Sequence, residues 1–163
     1  MRLIYKTDVE KYLPLAVNLD PKRLDMYAEE QEKIKLTQFL GRELYAELLQ
    51  NIDSADEKWV DLIDSIRPML VYWTYAMYLE RGNVFNTATG PVLKRTDSSV
   101  QLTEYEHEKL INSICNTARF YESELQDFLA ENREDYPSLP LNSIHTGCKK
   151  INIRVNTVKP DAI

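Results

Sequence analysis

Apolar residues recur along most of the chain at the three- and four-residue steps of amphipathic helices. A short helix is predicted from about Asp8 to Pro14, and a second from Pro21 to about Lys35. A third follows in the stretch FLGRELYAELLQN, where leucines stack at four-residue spacing. Two longer helices are predicted at 57–80 and at 104–133. The pattern therefore predicts a mainly α-helical bundle.

Side chains that can satisfy the free backbone N–H groups of a first turn mark where these helices begin. Three capping boxes pair a hydroxyl with a carboxylate three residues later: Thr7 with Glu10, Ser54 with Glu57, and Thr103 with Glu106. Asp20 followed by Pro21 predicts a fourth start, because the fixed φ of proline suits the first helical position. Gly41 lies inside the third pattern and indicates a joint with the preceding segment.

The helices differ in how their apolar residues are arranged. The second helix turns Leu24, Tyr27, Ala28, Gln31 and Ile34 toward one side. Segment 57–80 is apolar on nearly every face, as is typical of a helix at the centre of a bundle or in a subunit interface. Pro68 lies within it and predicts a kink or a restart, since proline cannot donate to the helical ladder. The last helix carries one apolar seam, formed by Ile111, Ile114, Ala118, Tyr121, Leu125 and Phe128.

A connection of about twenty residues, GNVFNTATGPVLKRTDSSVQ at 82–101, separates the two longest helices. Connections of this length are usually functional or disordered. The segment from Thr87 to Gly90 offers turn chemistry, and a short extended run follows it. We expect a long inter-helix loop or hairpin that makes contacts outside its own subunit. Its candidate interface residues are Val84, Phe85, Pro91, Val92 and Leu93.

The character of the chain changes after Tyr136, which predicts a helical domain at 1–136 and a C-terminal extension at 137–163. Within the extension, Ile151, Ile153 and Val155 alternate with polar residues at the two-residue period of a short β-strand. A single strand has unpaired edges and needs a partner. Residues 91–94, residues 2–5 and a neighbouring subunit are the three possible partners. Tyr136, Ile151, Ile153 and Val155 are therefore further candidates for a subunit or partner interface.

Composition narrows the class of protein. The chain has 163 residues, enough for one domain, with 44% hydrophobic and 28% charged residues. The net charge of −6 repels polyanions and argues against a general nucleic-acid binder. The two cysteines indicate a reducing compartment. The longest apolar run, 69–79, is shorter than the roughly 20 residues that span a bilayer, so we expect a cytoplasmic product without membrane association.

No pattern of catalytic or metal-binding residues stands out. Glu104 and His107 have the spacing of one di-iron motif, where such sites need two. A zinc site of His107, Cys115, His145 and Cys148 is disfavoured, because the first two are eight residues apart on one helix, about 12 Å. Cys115 is interpreted as a small core residue. The four glycines form no phosphate-binding loop. The sequence therefore predicts no catalytic residue, no cofactor and no metal, and an enzyme is the weaker hypothesis.

The aromatic and basic residues next to the connection have different interpretations. Tyr72, Trp73, Tyr75 and Tyr78 have apolar neighbours, so they are assigned to the core and to helix packing and not to base stacking. Lys94 and Arg95 form the one basic pair retained as a candidate phosphate contact. The alternative interpretation of this pair is a solvent-exposed loop tip without a binding role.

Several short motifs occur in a fixed order along roughly residues 5–137. They are Asp20-Pro21-x-x-Leu24-x-x-Tyr27, Phe39-Leu40-Gly41-x-x-Leu44-Tyr45, Tyr72-x-x-Tyr75-Ala76-x-Tyr78-Leu79-x-x-Gly82-Asn83, Thr87-x-x-Gly90-x-Val92-x-Lys94 and Tyr136-Pro137. Together they resemble the small helical head–tail connector (adaptor) proteins of tailed bacteriophages, particularly those from phages of Bacteroidetes-type hosts.

The resemblance implies a structural virion protein that is made in the bacterial host cytoplasm and resides in the phage neck. It implies a homo-oligomeric ring, commonly of twelve copies, below the portal protein and around the DNA channel. In such proteins the long loop and the C-terminal extension contact adjacent subunits, the portal or the next neck or tail protein. No catalytic residues come with the resemblance. Lys94 and Arg95 are then candidates for transient contact with DNA in the lumen.

Two other classes stay open at this stage. One is a small soluble homo-oligomeric helical adaptor or regulatory protein without catalysis. The other is an enzyme that uses the acidic helices together with a metal.

Overall fold

A computed structural model describes residues 2–13, 20–81, 84–87, 90–93 and 103–140. The helices of this part are α1 (Lys6–Tyr12), α2 (Pro21–Gln50), α3 (Glu57–Arg81) and α4 (Glu104–Glu131). Strands β1 (Val84–Thr87) and β2 (Gly90–Leu93) lie between α3 and α4, and a 3-10 turn, Arg133–Asp135, follows α4. The prediction of a mainly helical fold is confirmed.

Helix α3 lies at the centre and contacts α1, α2 and α4. Its side chains are buried on several faces, as the all-round apolar pattern predicts. The residues with no exposed surface form one core that joins all three long helices; they include Leu36, Leu40, Leu44, Leu48, Leu62, Ile66, Met69, Leu70 and Leu125. On α4, Ile114, Ala118 and Leu125 of the predicted seam are buried.

Helix α2 contains a break at Gly41, where φ is 73° and ψ is 173°. This conformation is almost restricted to glycine, because a Cβ atom would be strained there. The predicted joint is therefore confirmed, although the two predicted helices on either side follow one another directly. A side chain is also excluded by space, since a Cβ atom on Gly41 would lie 2.5 Å from Cγ of Pro140.

Two of the four predicted helix starts are confirmed. The Asp20 carboxylate accepts from the backbone N–H of Lys22 at 3.0 Å. At the start of α4, Thr103 Oγ1 accepts from the N–H of Glu106 at 3.2 Å, and the Glu106 carboxylate accepts from the N–H of Thr103 at 2.9 Å. The carboxylate of Glu106 accepts from both the N–H and the hydroxyl of Thr103, and these two hydrogen bonds lower its pKa below the ordinary value.

The other two predicted capping boxes do not form, although α3 begins at Glu57 as expected, and at each start a nearby aspartate makes a capping hydrogen bond instead. Helix α1 begins at Lys6, and the Asp8 carboxylate accepts from the N–H of Tyr5 at 2.9 Å. Ahead of α3, Asp56 Oδ1 accepts from the N–H of Lys58 at 3.3 Å, while Ser54 Oγ accepts from the N–H of Asp56 at 3.2 Å. Aspartate caps a helix at least as well as serine or threonine does. Ahead of α3, Asp56 is adjacent to the first turn and therefore makes the capping hydrogen bond in place of Ser54.

Helix α3 runs through Pro68 as one element, so the predicted restart does not occur. Proline removes one backbone donor from the ladder. Pro68 is itself buried in the core. The burial of apolar surface around α3 offsets the missing hydrogen bond, because helices in proteins owe most of their stability to tertiary packing.

The chain after α4 packs against the start of α3. Tyr136 is 2% exposed, and its hydroxyl donates to the carbonyl of Lys58 at 2.6 Å. Its ring lies edge-on to Trp59 with the centroids 6.1 Å apart. The Tyr136 side chain is thus enclosed by its own chain, and its role at a subunit or partner interface stays a prediction.

Packing of the helical body also continues past position 136. Leu139 is 4% exposed, Ser138 Oγ donates to the Glu47 carboxylate, and Pro140 touches Gly41. The helical body therefore includes residues through Pro140, beyond the boundary expected from the sequence. The strand predicted at Ile151, Ile153 and Val155 lies outside the described residues.

The N-terminal segment packs against α2 and completes the core. Leu3 and Ile4 are buried, and the N–H of Leu3 donates to Glu32 Oε2 at 3.1 Å. The Tyr45 hydroxyl donates to the other carboxylate oxygen of Glu32 at 3.4 Å. Burial raises the pKa of Glu32 above its ordinary value, and these two hydrogen bonds oppose the rise.

Candidate interaction surface

Strands β1 and β2 form an antiparallel hairpin in the connection between α3 and α4. The register pairs Val84 with Leu93, Phe85 with Val92, Asn86 with Pro91, and Thr87 with Gly90. The five candidate interface residues of the connection therefore all lie on the two paired strands. The predicted hairpin is present, with two residues between the closing pair.

The hairpin is a two-stranded sheet, and no further strand joins it within the described residues. A two-stranded hairpin is only marginally stable in water without additional strands or a packed helix. Each strand also has one edge whose backbone groups have no strand partner in this part of the chain. The hairpin is thus an element whose stability would increase on contact with another strand.

The two helix ends that flank the hairpin in the chain, the last turn of α3 and the first turns of α4, lie at one end of the bundle. Tyr72 stacks on Tyr121 with centroids 5.5 Å apart, and Met77 lines a cleft together with Cys115, so α3 and α4 run antiparallel. The first turns of α4 consequently project past Arg81, the last residue of α3. Ile114 is the first buried residue of α4.

Apolar side chains are exposed on this projecting segment and on the outer faces of α2 and α4. Tyr105 is 73% exposed and Leu110 39%. Farther along, Met26, Ile34 and Phe120 are 54%, 50% and 58% exposed. Single exposed apolar residues are ordinary on protein surfaces, but aromatic residues and methionine are enriched where proteins bind one another.

These exposed helical positions are not among the residues predicted from the sequence as an interface. The apolar pattern predicts Ile34 on the packed side of α2, whereas half of its surface is exposed and Leu36 is buried instead. Phe120 and Tyr105 lie off the seam of α4, and an apolar residue off the packed seam is the signal that would have identified them. Lys94, Arg95, Ile151, Ile153 and Val155 lie outside the described residues.

A cleft of about 210 Å³ lies between α2, α3 and α4, and a set of paired polar groups holds its walls together. Lys35 Nζ lies 2.7 Å from Glu122 Oε1 and 3.6 Å from the centroid of the Trp73 ring. The indole N–H of Trp73 donates to the same carboxylate oxygen at 2.8 Å. These polar groups satisfy one another, so we interpret them as a link between three helices and not as a ligand site.

The chemical alternatives gain no support in the described residues. No group of three or more histidine, cysteine or acidic side chains there is placed to hold a metal ion. The thiol of Cys115 is half-buried beside the cleft, and burial raises its pKa. His145 and Cys148 lie outside the described residues. No helix of the described chain is long and apolar enough to cross a bilayer.

The aromatic group of α3 serves helix packing, as the sequence predicts. Tyr72 stacks on Tyr121 of α4, and Tyr78 lies edge-on to Tyr27 of α2 with centroids 6.4 Å apart. The Tyr78 hydroxyl also accepts from the N–H of Asp20 at 3.4 Å. These contacts hold α3 to α2 and α4.

Comparison with known proteins identifies a family and no individual relative. No curated protein and no solved structure matches the chain. One family model matches residues 30–144, a span that includes most of α2, all of α3 and α4, and the hairpin between them. Because this match covers well over half of the 163 residues, the chain belongs to DUF6712, a family of unknown function.

Proposed function

We propose that this protein is a structural subunit without catalytic activity, which assembles into a ring at the neck of a tailed bacteriophage. In this role it is a head–tail connector that sits below the portal protein and around the DNA channel. The observation that carries the proposal is the β1–β2 hairpin, which pairs with no other strand in the described part of the chain. An element that is marginally stable alone becomes ordered at an interface.

A head-to-tail ring needs two different, complementary surfaces on each subunit. The hairpin end of the bundle supplies one candidate surface. The exposed apolar residues Ile34 and Phe120 on α2 and α4 supply another. The helical body between them is held by a continuous core, so it can fix the angle between the two surfaces.

The charge of the chain suits a conduit for DNA. A net charge of −6 opposes tight binding of phosphates, and a wall that bound phosphates strongly would retain the passing genome. Lys94 and Arg95, which follow β2 in the sequence, are the proposed points of transient contact with DNA.

The motifs behind the resemblance to connector proteins have structural roles in the helical body. Asp20 caps α2, Gly41 forms its break, and Tyr136 is buried against the start of α3. These residues therefore shape the helical body of this chain. A fold in common with the connectors and the ring-forming role are both our proposal.

Sedimentation velocity on the purified full-length chain tests the proposal. We expect a concentration-dependent species far larger than a dimer, alone or with the portal protein encoded nearest to its gene. Replacing residues 84–93 with a glycine-serine linker of equal length should abolish this species while helicity is retained. A stable dimer that ignores this replacement would favour a small homo-oligomeric adaptor, and a monomer under every condition would exclude both roles.

A further inference from the structure

We propose that the outer edge of β1 accepts an extended strand from a second copy of this chain. The outer edge of β2 is less suited to this, because Pro91 lacks the N–H that would pair there. The strand that we assign to the outer edge of β1 is the alternating segment at 151–155. The inference deepens the proposed ring function, because it specifies which surfaces of two subunits meet.

The register determines which backbone groups face outward. Two residues separate Thr87 from Gly90, and a two-residue turn is closed by a hydrogen bond between the residues that flank it. Antiparallel pairs alternate between hydrogen-bonded and non-hydrogen-bonded. Phe85 and Val92 are therefore a hydrogen-bonded pair. Val84 with Leu93 and Asn86 with Pro91 are the two non-hydrogen-bonded pairs, and their backbone groups point away from the hairpin.

Pro91 belongs to one of the pairs whose backbone groups point outward. Its missing N–H does not weaken the pairing of β1 with β2, but it removes a donor from the outer edge of β2. On the opposite strand, Val84 and Asn86 both present an N–H and a C=O. The hairpin thus has one complete edge and one edge interrupted by proline, a device that limits pairing to one side.

The segment at 151–155 matches this edge in pattern and in charge. Lys149, Lys150 and Arg154 lie in and before it, and no acidic residue occurs between 149 and 159. The exposed charges on the last turn of α3 and the first turns of α4 are mainly acidic; they are Glu80, Arg81, Glu104, Glu106, Glu108 and Lys109. A basic strand is therefore attracted to the acidic end of the bundle that carries the hairpin.

The length of the segment between Pro140 and Ile151 limits how far this strand can reach. Pro140 is held against Gly41, and ten residues, 141–150, separate it from Ile151. Ten extended residues span up to about 35 Å. Each chain offers one strand and one complete edge, which is the one-to-one stoichiometry of a head-to-tail ring.

Two full-length variants test the contact by complementation. Asn86→Pro removes an outward N–H from β1 in the same way that Pro91 does on β2, and Ile153→Asp disrupts the donated strand. We expect each variant alone to lose assembly, with the midpoint concentration raised by about tenfold or more. A mixture of the two should form a heterodimer and nothing larger, because only one competent edge meets one competent strand.

Leu93→Pro is the matched control, since it alters the same kind of outward position on β2. It should leave the midpoint concentration of assembly within about twofold of the unaltered chain, because that edge is not used. Circular dichroism checks that all variants keep their helices.

The outcomes separate this inference from the proposed function. Rings that tolerate Asn86→Pro would overturn the inference and leave the ring function standing. A dimer that is lost with Asn86→Pro would support the β1 contact and overturn the ring. A mixture that forms no heterodimer would show that the strand pairs within its own chain or not at all, and would overturn the contact between copies.

Discussion

Gly41 and Pro140 are in direct contact, so the break in α2 is also the place where the end of the helical body docks. A Cβ atom at position 41 would lie 2.5 Å from Cγ and 3.0 Å from Cδ of Pro140. The glycine therefore satisfies two demands, a positive φ and a close approach. The break at Gly41 therefore also determines where Pro140, the last described residue of the helical body, packs on α2.

Gly41→Ala should lower the free energy of unfolding by about 2 kcal/mol or more, because it adds backbone strain to the steric conflict. Urea denaturation measures the change. The double variant with Pro140→Ala relieves only the conflict, so it should recover part of the loss relative to Pro140→Ala alone. An unchanged midpoint for Gly41→Ala would contradict the observed conformation.

Tyr136→Phe should destabilise the protein by about 1 kcal/mol, because the carbonyl of Lys58 loses its partner inside a buried contact. Tyr105→Phe is the matched control, since its ring is 73% exposed and it should have almost no effect. Thermal unfolding of both variants measures the difference. Equal midpoints would indicate that Tyr136 is not enclosed by its own chain.

Glu122→Ala should cost about 2–4 kcal/mol, because it leaves the ammonium group of Lys35 and the indole N–H of Trp73 without their acceptor. The side chains of Lys35 and Glu122 are only 14% and 19% exposed. The surface pair of Arg67 and Asp64 is the comparison, and Asp64→Ala should cost less than about 1 kcal/mol. Similar losses in denaturant would contradict a partly buried link between the helices.

The stability of the protein should depend on pH through Glu32. Burial raises the pKa of this carboxyl above its ordinary value of 4.5, so the folded state binds the proton more tightly than the unfolded state. The stabilisation is fully present below pH 4.5 and is lost as pH rises through the folded pKa. Glu32→Gln should remove this component of the pH dependence.

Denaturation of the Glu32→Gln variant at a series of pH values between about 4 and 7 measures this component. Glu43→Gln, at an exposed position of α2, is the control and should keep the slope of the unaltered chain. A Glu32→Gln variant that retains the full slope would show that another carboxyl is responsible.

Phe120→Asp should leave the helical body folded and weaken assembly, because more than half of this ring is exposed on α4. Ala130→Asp, at an exposed position near the other end of the same helix, adds the same single charge and is the control. Sedimentation velocity compares the two. Equal assembly would remove the outer face of α4 from the proposed interface.

Local signals in the sequence predict much of this fold. The cap at Asp20, the capping box of Thr103 and the break at Gly41 each depend on a few adjacent residues, and all three are present. Where two capping residues compete within a few positions, as Ser54 and Asp56 do, the local pattern does not decide. That choice depends on how the preceding loop approaches the helix.

Contacts between distant parts of the chain account for the remaining differences. Tyr136 meets Lys58 across 78 positions, and no periodicity reports such a partner. Ile34 has the spacing of a buried residue but lies at the surface, because α2 presents Leu36 to the core there. The candidate hairpin is readable from its turn residues, whereas the difference between its two edges follows only from the register.

Electron microscopy of the full-length chain, assembled on the portal protein encoded nearest to its gene, tests the central claim most directly. We predict a closed ring in which the hairpin between α3 and α4 of each subunit contacts the next subunit. Isolated monomers or closed two-fold dimers, with the hairpin touching no neighbouring chain, would contradict it.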